Sequence, residues 1–219
     1  MYQSNQIFNS SQLVPDKLTI TFTETPEAKA SNIKVVDQNN VRIDKNDLSI
    51  SESEKKISTS LDKSKINSGI YNVNWLVLSK EDGHITKGAY VFSLNNNNSS
   101  QQQQPQIINQ SHIFSKNYIK ENLNVTLEVH PFKAGYNTFN ISVESIDGVS
   151  VENIKNVFLE FNNHDKNIGP LVDTMKQISV GKYGSSGIFI SQPGNWEIKV
   201  IVQRTGAYDV NHSLDVNIP

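Results

Sequence analysis

The chain has 219 residues, 36% of them hydrophobic, and its 20 basic and 22 acidic side chains give a formal net charge of −2. That length accommodates two domains of ordinary size, and the near-neutral balance excludes the basic footprint of a nucleic-acid-binding protein. With no cysteine, it also excludes disulfides, zinc ribbons, iron–sulfur clusters and thiol nucleophiles.

No apolar run approaches the roughly 18 residues that span a bilayer. Met1-Tyr2-Gln3-Ser4 lacks the basic and apolar regions of a secretory leader. Two expectations follow: a cytosolic protein, or a mature form whose leader has been removed. The first strand begins so close to Met1 that the second is favoured, with Met1 not the natural mature start. Asn-x-Ser/Thr sequons stand at Asn9, Asn98, Asn109, Asn124, Asn140 and Asn211, but in an Asn-rich chain most arise by chance.

Residues 1–12 are polar and predict no element. The alternation Leu18, Ile20, Phe22 predicts a strand, followed by the acidic Glu24 and a turn at Pro26. Ile33–Val36 predicts another, ended by the turn residues Asp37-Gln38-Asn39-Asn40. Val41–Ile43, Leu48–Ile50 and Ile57–Leu61 are further short candidates, spaced as an all-β sandwich requires. The clearest pattern runs from Gly69 to Phe92. There Tyr71, Val73, Trp75 and Val77 share one face, and Ile70, Asn72, Asn74 and Leu76 the other. Asp82-Gly83 then predicts a tight turn, and Ala89–Leu94 the returning strand. His84 follows that turn directly, beside a carboxylate. It is the best chemical lead in the sequence.

Asn95–Gln104 reads NNNNSSQQQQ and is followed by Pro105. Such a tract cannot bury enough apolar surface to offset chain entropy, so a linker is predicted over residues 95–121. It separates a first domain, 1–94, from a second, 122–219. In the second, Val125–Val129, Phe139–Val143, Val157–Phe161, Met175–Val180 and Gly187–Ile190 predict strands, with Gly135-Tyr136-Asn137 as a turn. Pro193-Gly194 opens another strand bearing Trp196, Ile198, Val200 and Val202, and Leu214, Val216 and Ile218 close the chain. The fold class is all-β, as two immunoglobulin-like or Greek-key sandwiches. Trp75 and Trp196 are the expected core plugs of the two domains. Both follow a glycine into a long strand, in G-x-Y-x-V-x-W-x-V at Gly69 and G-x-W-x-I-x-V-x-V at Gly194.

The remaining histidines, His112, His130, His164 and His212, show no metal-ligand spacing. No nucleophile–base pair and no Gly-rich phosphate loop stands out, so no enzyme is expected. With two Met in the chain, neither in a Met-rich segment, a thioether Cu(I) site is not expected either.

Residues 15–94 resemble the CopC family of periplasmic copper-binding β-barrels or sandwiches. The matching pieces are P-x-x-L-x-I-x-F-T-E at Pro15–Glu24, I-K-V-V-D at Ile33–Asp37, G-x-Y-x-V-x-W at Gly69–Trp75, and S-K-E-D-G-H-x-x-x-G-x-x-x-F at Ser79–Phe92. The resemblance implies a Cu(II) site held by an amino-terminal histidine, a glutamate after the first long strand, and the Asp and His of the D-G-H turn. Glu24, Asp82 and His84 occupy the last three positions. Cu(II) favours tetragonal coordination by imidazole, amine and carboxylate and needs no thiolate. This chain departs from the pattern twice. No histidine lies near its amino end, and one extra residue stands between Ser79 and Asp82. A copper monooxygenase with a two-histidine brace would also need that amino-terminal histidine.

Residues 123–218 resemble the soluble domain at the far end of CopC–CopD fusion proteins, akin to FixH- and YtkA-like domains. The pieces are N-T-F at Asn137, the Ile168-Gly169-Pro170 turn, P-G-x-W at Pro193, and R-x-G-x-Y-D at Arg204–Asp209. In such fusions a multi-helix membrane unit separates the two soluble domains, where this chain has its Asn/Gln tract. The resemblances together imply an extracytoplasmic, membrane-associated Cu(II)-binding protein of copper transport, homeostasis or resistance. Its expected partners are the copper ion and a CopD-like membrane transport unit, with no nucleic acid. The alternative is a metal-free, Ig-like docking module of a cell-surface assembly.

Overall fold

The structure, a computed structural model, describes residues 6–9, 15–95, 113–149 and 151–219. Strands make up nearly all its regular structure; the one helical piece among the described residues is a 3-10 turn at Lys63–Lys65. No helix there is long and apolar enough to cross a membrane. The chain divides into two compact units.

The first unit is built from β1 (Gln6–Asn9), β2 (Lys17–Thr21), β3 (Asn32–Asp37), β4 (Ser49–Ser51), β5 (Lys56–Ser60), β6 (Gly69–Leu78) and β7 (Ile85–Asn95). A four-stranded sheet in the order β1-β7-β6-β3 accompanies a three-stranded sheet, β2-β5-β4. The period-two pattern of β6 turns Tyr71, Val73 and Val77 into a core with Leu18, Ile33, Val35, Ile43, Ile57 and Phe92. Tyr71 stacks on Phe92 at 5.1 Å. Its hydroxyl accepts from the Asn67 amide at 2.8 Å and donates to the Asn67 carbonyl at 2.7 Å, so the buried oxygen is satisfied.

Trp75 departs from the expected core plug. It shares the inward face but is only half-buried at the core's edge. Its cross-strand partner is Gly88, and the indole lies over that glycine, where a Cβ would overlap the ring. Tyr90 flanks it at 6.0 Å. Val41–Ile43 is not a strand either; Arg42 makes a single bridge to Val36. Side chains hold this stretch instead. Asp37 Oδ1 accepts from the Asn39 and Val41 amides at 2.9 and 2.8 Å. Buried Asp44 accepts from the Val35 amide at 2.8 Å and pairs with Arg42, also at 2.8 Å.

The second unit comprises β8 (Phe114–Lys120), β9 (Leu123–His130), β10 (Gly135–Ser145), β11 (Ile154–Asn163), β12 (Ile168–Thr174), β13 (Lys176–Ser179), β14 (Lys182–Ile190), β15 (Gly194–Arg204) and β16 (Val210–Ile218). Its sheets run β13-β14-β10-β9-β8 and β12-β11-β15-β16. Alternate residues of β9, β10, β11 and β15 fill the space between them. Phe139, Phe161 and Phe189 form an aromatic centre, the first pair 5.0 Å apart and edge-on, the second pair stacked at 5.1 Å. Trp196 is 1% exposed, and its Nε1 donates to the Gln192 carbonyl at 2.9 Å. It is the core plug expected of it.

Several expectations shift. Asn95, the first residue of the Asn/Gln tract and of the predicted linker, ends β7, and residues 96–112 lie outside the described residues. Phe114–Lys120, predicted as the end of the 95–121 linker, is β8 and pairs with β9 from Phe114↔Val129 to Lys120↔Leu123. Residues 1–12, predicted without structure, contain β1, which pairs parallel with β7. Ile168-Gly169-Pro170 opens strand β12, and Gly135-Tyr136-Asn137 starts β10 instead of preceding it.

Candidate metal centre

Six residues, Ser79–His84, connect β6 to β7. The Ser79 amide closes the loop on the His84 carbonyl at 2.9 Å, and the Gly83 amide bonds the Ser79 carbonyl at 3.1 Å. Gly83 has φ of 74°, a left-handed conformation that glycine adopts without steric cost. Asp82 Oδ1 then accepts from the His84 amide at 3.1 Å and faces His84 Nδ1 at 2.6 Å. The aspartate thus shapes the turn and orients the imidazole together.

Glu24 stands three residues beyond β2. Its segment is stitched to the loop by backbone bonds: Lys80 N to Thr25 O at 2.9 Å and Glu27 N to Leu78 O at 2.8 Å. A bridge pairs Pro26 with Ser79. This places Glu24 Oε2 3.4 Å from His84 Nδ1. One ligand atom each from Glu24, Asp82 and His84 lies within 4.8 Å of the others. The three residues singled out by sequence are brought to one point.

The cluster is open to solvent, with side-chain exposures of 39% for Glu24, 58% for Asp82 and 49% for His84. Within it, Glu24 Oε2 is shielded and makes no hydrogen bond. Its charge faces the His84 ring, and a metal ion held among the three side chains would face it as well. The His84 pKa is raised, first through its bond to Asp82 and then through the charges of Asp82, Glu24 and Glu81. The Asp82 pKa is lowered by the His84 amide and ring. Two carboxylates and one imidazole form an O,O,N set that a divalent cation of the Cu(II) type accepts. The residues fit such an ion.

Among the described residues, no other histidine joins a metal-ligand group of this kind. His164 Nε2 contacts Glu197 Oε2 at 3.2 Å, beside a depression of about 370 Å³ lined by Asp165, Asn195, Asp215 and Asn217. His212 stacks on Tyr118 at 4.2 Å. His112 lies outside the described residues. Sequence reasoning missed Glu81, whose carboxylate reaches back to Thr25 beside Glu24.

The fold is similar to several solved structures. The CopC of Methylosinus trichosporium OB3b is 21% identical, covering 42% of this chain and 85% of that one, with a TM-score of 0.35. PcoC, a copper resistance protein from Escherichia coli, is 20% identical over 42% of this chain and 92% of its own, also with a TM-score of 0.35. The fibronectin(III)-like modules of Clostridium thermocellum CbhA match 98% of this chain and 90% of theirs at 11% identity and a TM-score of 0.27. No curated protein matches the sequence. The family comparison matches the CopC domain to residues 6–95 of this chain.

Proposed function

We propose that the first unit binds Cu(II) through Glu24, Asp82 and His84, and that the protein handles copper outside the cytoplasm. Its task in that reading is transport, homeostasis or resistance without catalysis, with copper passed to or from a CopD-like membrane unit. The observation that carries the reading is the convergence of the three donors in a segment that matches the CopC domain. The shielded Glu24 Oε2, which faces His84 Nδ1 at 3.4 Å, adds to it, because a bound cation would lie against that atom.

A carboxylate pair with one imidazole offers few nitrogen donors, so Cu(II) binding by this chain is expected to be weak. β1 runs parallel to β7 with Gln6 opposite Phe92, so the direction back along β1 leads toward the Ile85 end of β7, next to His84. A histidine supplied as a free amino terminus would bring an amine and a second imidazole toward the tetragonal set that Cu(II) prefers. The test is a Cu(II) titration followed by the visible d–d band. The chain should give weak saturable binding, the amino-terminal histidine extension should convert it to binding that survives dialysis, and His84→Ala should abolish it. If the unaltered chain shows no saturable binding, the metal-free docking role replaces this reading; if His84→Ala binds as the unaltered chain does, the ion is held elsewhere and the three-residue site fails.

A further inference from the structure

Glu81 is the residue before ligand Asp82, and Thr25 the residue after ligand Glu24. Across 56 residues of sequence, the Thr25 amide donates to Glu81 Oε1 at 3.0 Å and Oε2 at 2.9 Å. The Thr25 hydroxyl donates to Glu81 Oε1 at 2.8 Å. The other side of the carboxylate is held by its own turn, where Ser79 Oγ donates to Oε2 at 3.2 Å and accepts from the Glu81 amide at 3.1 Å. Both oxygens are therefore engaged, and Glu81 is not itself a fourth ligand. The donors offset the repulsion of a third carboxylate beside Glu24 and Asp82, and they hold the Glu81 pKa low, the Thr25 hydroxyl most of all.

We infer that Glu81 is a positioning residue of the metal centre, clamping the Glu24 segment to the Asp82–His84 turn so that the three donors meet; this rests on the Cu(II) reading above. The physical case is one of reach. Glu24 follows β2 and Asp82–His84 precede β7, strands of different sheets. The centre is assembled only as well as those two connections are held together. Backbone bonds fix Thr25 O and Leu78 O, and among the described residues Glu81 alone holds the Thr25 amide, the peptide joined directly to Glu24. The residue that supplies the clamp lies in the same turn as Asp82 and His84, so the turn keeps its ligands aligned by gripping the neighbouring chain. Groups that orient metal ligands typically govern affinity by about 10- to 100-fold.

The test uses the full chain and Cu(II) alone, with Glu81→Ala, Glu81→Gln and Thr25→Val. Glu81→Ala should weaken Cu(II) binding by about 10- to 100-fold and change the parallel hyperfine splitting of the bound Cu(II) in electron paramagnetic resonance. In the metal-free protein it should speed hydrogen exchange at the Thr25 amide. Glu81→Gln keeps an acceptor oxygen for that amide and should fall between the two; Thr25→Val, which keeps the shape and loses only the hydroxyl, should weaken binding less than Glu81→Ala. Unchanged affinity and spectrum in Glu81→Ala would overturn the inference and leave the Cu(II) reading standing. A chain that fails to bind Cu(II) before any substitution would overturn both.

Discussion

Asp82 and His84 stabilise each other, and the pH at which they do so follows from the direction of their shifts. His84 is raised above its ordinary 6.5 by its bond to Asp82. Its contribution to stability is complete below 6.5 and is lost as pH rises through the higher folded value. Asp82 is lowered below 3.8 by the His84 amide and ring. Its contribution is complete above 3.8 and is lost as pH falls through the lower folded value. The metal-free protein should therefore be more stable than His84→Ala between pH 3.8 and 6.5, and the gap in thermal midpoint should close in more alkaline solution. The difference will be small, since both groups stand in solvent. Protons also compete with metal for the imidazole nitrogen, so Cu(II) affinity should fall with pH from above 6.5, the ordinary His84 value. Asp173 on β12 shows the opposite sign. It is 8% exposed, its Oδ2 has no hydrogen-bond partner, and burial raises its pKa. The charged form is the costly one, so Asp173→Asn should raise the melting temperature at pH 7. That gain should vanish below pH 3.8, where both folded and unfolded chains carry the neutral acid.

Among the elements, β6 and β7 carry the centre, and their hairpin depends on the pairing of Trp75 with Gly88. A Cβ at Gly88 would overlap the indole, so Gly88→Ala should cost about 1–3 kcal/mol, the usual range for overpacking. Chemical denaturation followed by Trp fluorescence measures it, and an unchanged midpoint would mean that the half-buried ring swings aside freely. The same hairpin shows what the sequence makes legible. Central strands such as β6, β9, β10 and β15 alternate strongly because one face meets a core, and they stand where the pattern puts them. The strands that pattern misses, β1, β8 and β12, are all at sheet edges. β8 reads FSKNYIK, with Phe114 and Tyr118 alone half-buried, and its structure comes from pairing with β9 and not from its own periodicity. Trp75 was misplaced for a related reason: alternation assigns a face but not a depth. Asp82 and His84 were legible as a carboxylate and an imidazole in a short connection between two strands, whereas Glu24 was singled out only through the resemblance to CopC. The Glu81 clamp was not legible, because nothing local links positions 56 residues apart.

At the scale of the whole molecule, two β-sandwiches share one chain, and only the first shows a convergent metal-ligand set among the described residues. The second unit places His164 and Glu197 at 3.2 Å on an open surface, a pairing that satisfies both without an ion. The full chain carrying His84→Ala should therefore emerge from dialysis against Cu(II) with no stoichiometric metal; retention would move the site to the second unit. His84 is proposed as a Cu(II) ligand together with Glu24 and Asp82. Electron spin echo envelope modulation on the chain loaded with one equivalent of Cu(II) tests it most directly, because it detects the remote nitrogen of a coordinated imidazole. The account predicts modulation from a single imidazole, lost in His84→Ala, with an altered copper spectrum in Glu24→Gln and Asp82→Asn. Imidazole modulation that persists in His84→Ala, or a spectrum indifferent to both carboxylate substitutions, would contradict it.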